Sequence, residues 1–170
     1  MVILKVILII VLVLILAFIF NGIEDYHKEN SLIRLSFADK FGRLKLPIVS
    51  LVNNGVVFNF LIDSGATYSI IDTPFLEQMK YKKLEAEGSA YGVDGNKVPV
   101  NYARIELTHD DYKFVDEFQI IRVNAFDNIK ETEGITVAGI LGVEFLERYN
   151  FIIDFNDLII HAKKSKSKKQ

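Results

Sequence analysis

The stretch Phe60-Leu61-Ile62-Asp63-Ser64-Gly65-Ala66-Thr67-Tyr68-Ser69-Ile70-Ile71-Asp72 carries an apolar strand straight into a carboxylate, a hydroxyl and a glycine. Apolar character resumes at Ile70. Glycine turns a chain more sharply than any other residue, so this order fixes Asp63 at a strand end. A carboxylate there can cap backbone amides within a turn, or it can move a proton to and from a bound reactant. Almost eighty residues later, Ile140-Leu141-Gly142 leads into a short helix and a closing apolar strand.

Other combinations of reactive side chains are weaker. His27, His109 and His161 lie far apart, and the chain has no cysteine, so a zinc site would need carboxylates around them. His109-Asp110-Asp111 reads as a solvated turn. Asp154-Phe155-Asn156-Asp157 lacks the glycine and closing glutamate of a calcium loop and reads as a hairpin turn. No Gly-x-Ser-x-Gly elbow and no phosphate-cradling glycine loop is present. Phe145, Tyr149, Phe151 and Phe155 read as core. Neither metal nor cofactor is expected.

The elements that must position Asp63 follow from periodicity. Arg43-Leu44-Lys45-Leu46 alternates like a strand, and Ile48 to Val52 runs to Asn53-Asn54-Gly55, a hairpin signal from which Val56 to Ile62 returns. Asp72-Thr73-Pro74 starts a helix of one or two turns over Phe75 to Met79. Ser89 to Tyr91 and Lys97 to Val100 flank a second hairpin, whose tip is Gly92-Val93-Asp94-Gly95-Asn96. Tyr102 to Thr108 and Phe114 to Val123 are strands around the polar turn at His109. Val143 to Tyr149 reads as a short helix, and Phe151 to Phe155 with Leu158 to His161 as a hairpin. The expected fold is mainly β, a barrel-like domain with one or two short helices.

With these elements in place, the chain resembles the retropepsin-like aspartic proteases, the retroviral-type peptidases and their bacterial relatives. Leu61-Ile62-Asp63-Ser64-Gly65-Ala66-Thr67 matches the apolar-apolar-Asp-Thr/Ser-Gly-Ala/Ser-x signature of that family. Ile140-Leu141-Gly142 matches its second signature, which packs behind the active-site loop. The hairpin at Tyr91, Gly92, Val93, Asp94 and Gly95 lies where the family places its substrate-binding flap. The resemblance spans roughly residues 44–160. Glu144 stands where Asp or Asn is common, and Tyr68 follows Thr67 where viral enzymes often carry acids.

The resemblance implies a closed β-barrel of a single lobe, and an aspartic endopeptidase with Asp63 as its catalytic residue. Ser64, Gly65, Ala66 and Thr67 would then support the loop. Hydrolysis by carboxylates needs one ionised group to take a proton from water and one protonated group to polarise the scissile carbonyl. The chain holds one Asp-Ser-Gly, so the second Asp63 must come from another copy, with the site on a two-fold axis. At about 3 Å and an effective dielectric near 20 the two charges would repel by roughly 5 kcal/mol, so the pair holds one proton between them. An extended peptide substrate would lie as a strand between flap and floor. The competing class is a non-catalytic, membrane-anchored β domain that binds peptides or partner proteins.

Composition places this domain behind an anchor. Nineteen of the first twenty residues are apolar and Lys5 is their single charge. Twenty helical residues span roughly 30 Å, the thickness of a bilayer's hydrocarbon core. No A-x-A-like site follows the segment, so an uncleaved anchor is favoured over a cleaved signal peptide. The reading is a transmembrane anchor or uncleaved signal at 1–20, a connector at 21–34, a retropepsin-like protease domain at 35–162 and a basic tail at 163–170. Lys5 and the amino terminus face Lys28 and Arg34 across the segment, so charge discriminates orientation poorly; the expectation is a single-pass protein with an extracytoplasmic domain. Without Lys5 and the five tail lysines, 14 basic residues stand against 22 acidic ones, a formal −8 that disfavours nucleic-acid binding.

Overall fold

The structure, a computed structural model, describes residues 11–20, 32–91 and 97–163. Two units are distinguished, residues 34–162 and residues 1–33 with 163–170. In the smaller unit residues 11–20 are helical, and all their side chains are exposed. Among the described residues no helix is long and apolar enough to cross a membrane. Residues 1–10 of the expected anchor lie outside the described residues.

The larger unit is mainly β, as its strand periodicity requires. In chain order the elements are β1 (Leu32–Ser36), α1 (Ala38–Leu44), β2 (Ile48–Asn53), β3 (Val56–Ile62), β4 (Ser69–Asp72), α2 (Thr73–Leu76) and β5 (Tyr81–Tyr91). They continue as β6 (Lys97–His109), β7 (Tyr112–Ile121), α3 (Ala125–Glu133), β8 (Gly139–Leu141), α4 (Val143–Arg148), β9 (Ile152–Asp154) and β10 (Ile159–Lys163). A three-stranded sheet has the order β1-β10-β9. The main sheet has seven strands in the order β2-β3-β8-β4-β7-β6-β5. It curls until β2 meets β6 at Val52 and Thr108, one ladder pair among the described residues. The closed barrel expected from the sequence is therefore a curled sheet bridged at one point. β1 begins at Leu32, inside the span expected to be connector.

Turn chemistry sets the hairpin registers. Asn54 and Gly55 both have positive φ, 50° and 82°, the conformation a two-residue hairpin loop demands, and Asn53 faces Val56 across it. Asp110, at φ 50°, helps return β6 into β7, with His109 facing Tyr112. In the loop between β9 and β10, the Asp154 Oδ1 accepts the amides of Asn156 at 2.8 Å and Asp157 at 3.2 Å. The Asp157 amide, then that of Asn156, holds the Asp154 carboxyl below its ordinary pKa.

Two expectations need correction. No strand forms at Arg43–Leu46: Arg43 and Leu44 end α1, which stops where Lys45 turns left-handed at φ 56° and its N–H reaches the Phe41 carbonyl. Phe37 and Phe41 are four residues apart, their rings meet at 5.5 Å, and Phe155 lies against both, at 5.7 and 5.8 Å. Aromatic packing at helical spacing thus overrides a four-residue alternation. Phe155, expected in the core, serves that contact while remaining 56% exposed.

Burial concentrates behind the loop that follows β3. Phe60, Phe114, Phe118, Leu141 and Phe145 are almost wholly buried, and Phe114 meets Phe145 at 5.6 Å and Tyr149 at 5.0 Å. A second cluster joins Ile48, Phe126, Ile135, Val137 and Ile140, with Ala66 and Ile70 packed against it. α3 reaches this cluster through Phe126 and Ile129, one turn apart on one face. The Asp72 carboxylate, in a residue 1% exposed, ties α3 and its approach to β4. It accepts Arg122 Nη1 at 2.7 Å and the Val123 N–H at 2.9 Å, and Arg122 also pairs with Asp127. The Arg122 pairing holds Asp127 below its usual pKa, and the hydrogen bonds to Asp127 and Asp72 push the Arg122 pKa up. Asp72→Ala is expected to lower stability by about 2 kcal/mol, because it leaves the Val123 amide without its acceptor and removes one of the two carboxylates that hold Arg122. The urea midpoint measures this, and an unchanged midpoint would show that the tie carries no stability.

Candidate active site

Asp63 sits one residue past β3, in a loop that runs to β4. The three-residue strand β8 lies between those two strands. It pairs parallel to β3 through Leu61 with Ile140 and Ile62 with Leu141, and antiparallel to β4 through Ile70 with Ile140. Both ends of the loop are therefore anchored on the same short strand. The Asp63 N–H donates to the Leu141 carbonyl at 3.1 Å, which extends the ladder by one residue to the carboxylate itself.

Within the loop, Asp63 Oδ1 accepts the Gly65 N–H at 2.8 Å and the Asp63 carbonyl accepts the Ala66 N–H at 3.2 Å. The carboxylate is thus held by its own turn, and Oδ2 accepts nothing among the described residues. Gly65 does not have positive φ. A Cβ there would stand 3.1 Å from Asp63 Oδ1, so a larger residue would crowd the carboxylate by a few tenths of an ångström, and no left-handed turn calls for glycine. Asp63 and Ala66 are partly buried, whereas Ser64, Gly65 and Thr67 are exposed.

Behind the loop, three successive amides face it. Gly142 N–H donates to Ser69 Oγ at 3.3 Å, Val143 N–H to the Ala66 carbonyl at 2.8 Å and Glu144 N–H to the Thr67 carbonyl at 3.1 Å. These groups begin α4, whose first amides have no partner inside the helix and are free to hold the loop. Gly142 permits the approach: a Cβ would lie 2.6 Å from the Tyr68 carbonyl oxygen and 2.7 Å from that of Ala66. The structure thus brings Asp63, Gly65, Ala66, Thr67, Ile140, Leu141 and Gly142 into one assembly. Tyr91 ends β5, and Gly92, Val93, Asp94 and Gly95 lie outside the described residues.

Three polar residues behind the loop escape a reading by motif. Ser69 Oγ donates to Asp116 Oδ2 at 3.3 Å, and Arg148 Nη1 meets Asp116 Oδ1 at 3.0 Å. Asp116 is 4% exposed. The sequence does carry a signal for it, since Phe114, Asp116 and Phe118 share one phase of β7, so a carboxylate stands where alternation asks for an apolar side chain.

Away from the loop, an open cleft of about 370 Å³ lies at the base of the β5–β6 hairpin, lined by Asn53, Lys80, Lys82, Arg104 and Glu106 among others. Its lining includes no residue of the Asp63 loop. No group of three or more His, Asp or Glu able to hold a metal occurs among the described residues.

The aspartyl protease family matches this chain over residues 49–145, more than half its length and inclusive of both the Asp63 loop and Gly142. The chain belongs to the aspartyl protease family. The retropepsin-like resemblance carried by residues 61–67 and 140–142 and this match agree on the kind of enzyme. Among solved structures, this family member is similar to EIAV protease complexed with the inhibitor HBY-793, with a TM-score of 0.48 and 19% identity. That likeness covers 64% of this chain and 91% of the other. No curated protein matches the chain.

Proposed function

We propose that the protein is an aspartic endopeptidase that cleaves peptide bonds of protein substrates at a dyad made by Asp63 from each of two copies. The observation that carries this reading is a single Asp63 carboxylate, oriented by the Gly65 amide and clamped from behind by Leu141 to Glu144, in a member of the aspartyl protease family. One chain offers one such carboxylate, and the reaction needs two in opposite protonation states. The ionised Asp63 takes a proton from water as the water oxygen bonds to the scissile carbon. The protonated Asp63 of the second copy donates to the carbonyl oxygen. Collapse of the tetrahedral adduct breaks the carbon–nitrogen bond, the amine leaves with a proton, and the dyad again holds one proton between two carboxylates.

Several parts of this reading rest on the sequence. The family resemblance implies that Ser64 braces the two loops against each other and that the hairpin from Tyr91 to Gly95 covers an extended peptide. Membrane attachment through residues 1–20 is supported by their composition and by the exposure of every apolar side chain over 11–20. Tethering would raise the effective concentration of protomers and favour their pairing without adding a contact.

The shared site is tested by mixing. Adding an equal amount of Asp63→Asn chain to the wild type, with time for subunits to exchange, is expected to roughly halve the wild-type activity, because half its protomers then pair with an inert partner. Activity that stays unchanged under demonstrated exchange would assign a complete site to each chain and overturn the reading.

A further inference from the structure

We propose that Asp116 is a positioning residue for the Asp63 loop, acting through a closed polar ring that runs from the Gly142 N–H to Ser69, to Asp116, to Arg148 and back along α4 to Gly142. The proposal rests on the reading of Asp63 as the catalytic carboxylate. Each link is direct: 3.3 Å from Gly142 N to Ser69 Oγ, 3.3 Å from Ser69 Oγ to Asp116 Oδ2 and 3.0 Å from Asp116 Oδ1 to Arg148 Nη1. α4 covers only Val143–Arg148, so the two residues that close the ring stand at the two ends of one rigid helix. The front of that helix holds the loop through the amides of Val143 and Glu144. Its rear is linked towards the same loop through Asp116 and Ser69.

A carboxylate at this position needs a reason. Asp116 lies in β7 between the fully buried Phe114 and Phe118, with Ile105 as its register partner on β6. A buried charge in apolar surroundings is unfavourable unless partners recover the lost hydration, and an apolar side chain would fill the site without that penalty. The partners here point at the loop. A hydroxyl has one hydrogen and two lone pairs, so while Asp116 is ionised it takes the Ser69 hydrogen and leaves a lone pair for the Gly142 N–H. Protonation removes the ion pair with Arg148 and weakens the acceptor that fixes the Ser69 hydroxyl, since a neutral carboxyl holds a donor less strongly than a carboxylate.

The groups facing Asp116 set where this happens. Arg148 approaches from α4 and Ser69 from β4. Glu117, its neighbour on β7, is paired with Arg104 of β6 at 2.7 Å, and the Tyr149 hydroxyl is engaged with both backbone groups of Val115. Burial, the largest influence, pushes the Asp116 carboxyl above its ordinary pKa against the pull of Arg148. A carboxyl raised in the folded state contributes stability that is complete below the unfolded pKa and is lost as pH rises through the folded value. Acidification through that window therefore opens the ring while this group favours the fold more strongly. Activity and stability should part company, which a purely structural role would not produce.

The test uses the full chain and a peptide substrate, with kcat and KM followed against pH. Arg148→Gln removes the charge that keeps Asp116 ionised, so the acid limb of kcat is expected to move to higher pH, with KM within about two-fold, and Arg148→Lys to return it towards the wild type. Asp116→Asn is expected to lower kcat about 10- to 100-fold at neutral pH without lowering the melting temperature. An acid limb identical in wild type and Arg148→Gln overturns the proposal, as does a parallel loss of activity and melting temperature in Asp116→Asn. If the wild-type chain cleaves no peptide, it is the enzymatic reading that fails, and hydrogen exchange then decides the ring alone. The amides of Gly142, Val143 and Glu144 should exchange faster in Arg148→Gln than in the wild type at the same pH, and equal rates overturn the ring.

Discussion

Asp63→Asn is expected to lower kcat for peptide cleavage by about 10⁴-fold while leaving the fold in place. The amide of asparagine neither ionises nor donates a proton to the scissile carbonyl, so both halves of the proton exchange fail together. Its carbonyl oxygen can still accept the Gly65 N–H that Asp63 Oδ1 accepts at 2.8 Å, and its backbone N–H can still reach the Leu141 carbonyl. The melting temperature should accordingly stay close to that of the wild type. Cleavage that survived the substitution, in a preparation free of other proteases, would remove Asp63 from the chemistry. A protein that bound peptides equally well before and after, and cleaved none, would point to the anchored peptide-binding domain.

The second large effect is steric. Gly142→Ala is expected to destabilise the domain by about 3 kcal/mol and to lower activity further than stability alone explains. The new Cβ would meet the Tyr68 and Ala66 carbonyl oxygens at 2.6 and 2.7 Å, and both belong to backbone that cannot swing aside as a side chain can. Either the loop retreats from α4 or α4 retreats from the loop. In both cases the hydrogen bonds from Gly142, Val143 and Glu144 lengthen and the Asp63 carboxylate loses its backing. Gly139→Ala should be at least as damaging, since its Cβ would overlap the Ile70 carbonyl oxygen between β8 and β4. Urea midpoints measure the stability of each variant. A Gly142→Ala protein of wild-type stability and activity would show that the loop does not depend on this packing.

These glycines also show how much of the site could be read from residue types. Ile140-Leu141-Gly142 marks a place of close approach, and the structure supplies the reason in two carbonyl oxygens that leave no space for a methyl group. The Asn54-Gly55 hairpin is legible for the same kind of reason, because its φ values are ones that few residues adopt. Gly65 is less legible. A glycine after Asp-Ser suggests a left-handed turn, yet what it provides is room for its amide beside Asp63 Oδ1. Local chemistry of this kind fixes turns, while the partners of a strand are chosen by the rest of the chain.

The remaining differences have the same origin. The helix α1 owes its existence to Phe37, Phe41 and Phe155, the last more than a hundred residues away from the first two, and no window around Arg43–Leu46 contains that information. β5 runs over eleven residues although only its end, Ser89 to Tyr91, has a strand signal, because pairing with β6 from Tyr81–Ile105 onward selects the extended form for Lys82, Lys83 and Leu84. Asp72 was legible as the residue before a helix and is its N-cap, but its carboxylate makes no cap bond and goes instead to Arg122 and Val123. Ser69, Asp116 and Arg148 lie far apart in sequence and meet only when β4, β7 and α4 pack. A charged residue on the buried phase of a strand, as at Asp116, is the one mark such a network leaves in the sequence.

The central claim is that two chains build one catalytic centre, and the stoichiometry of a tight transition-state mimic tests it most directly. A statine-type inhibitor places one hydroxyl between two carboxylates. Titrated against a known concentration of the active full chain, it is predicted to reach equivalence at one molecule per two chains and to lose that binding in Asp63→Asn. Equivalence at one molecule per chain, or tight binding that persists in Asp63→Asn, would contradict a dyad assembled from two copies of Asp63.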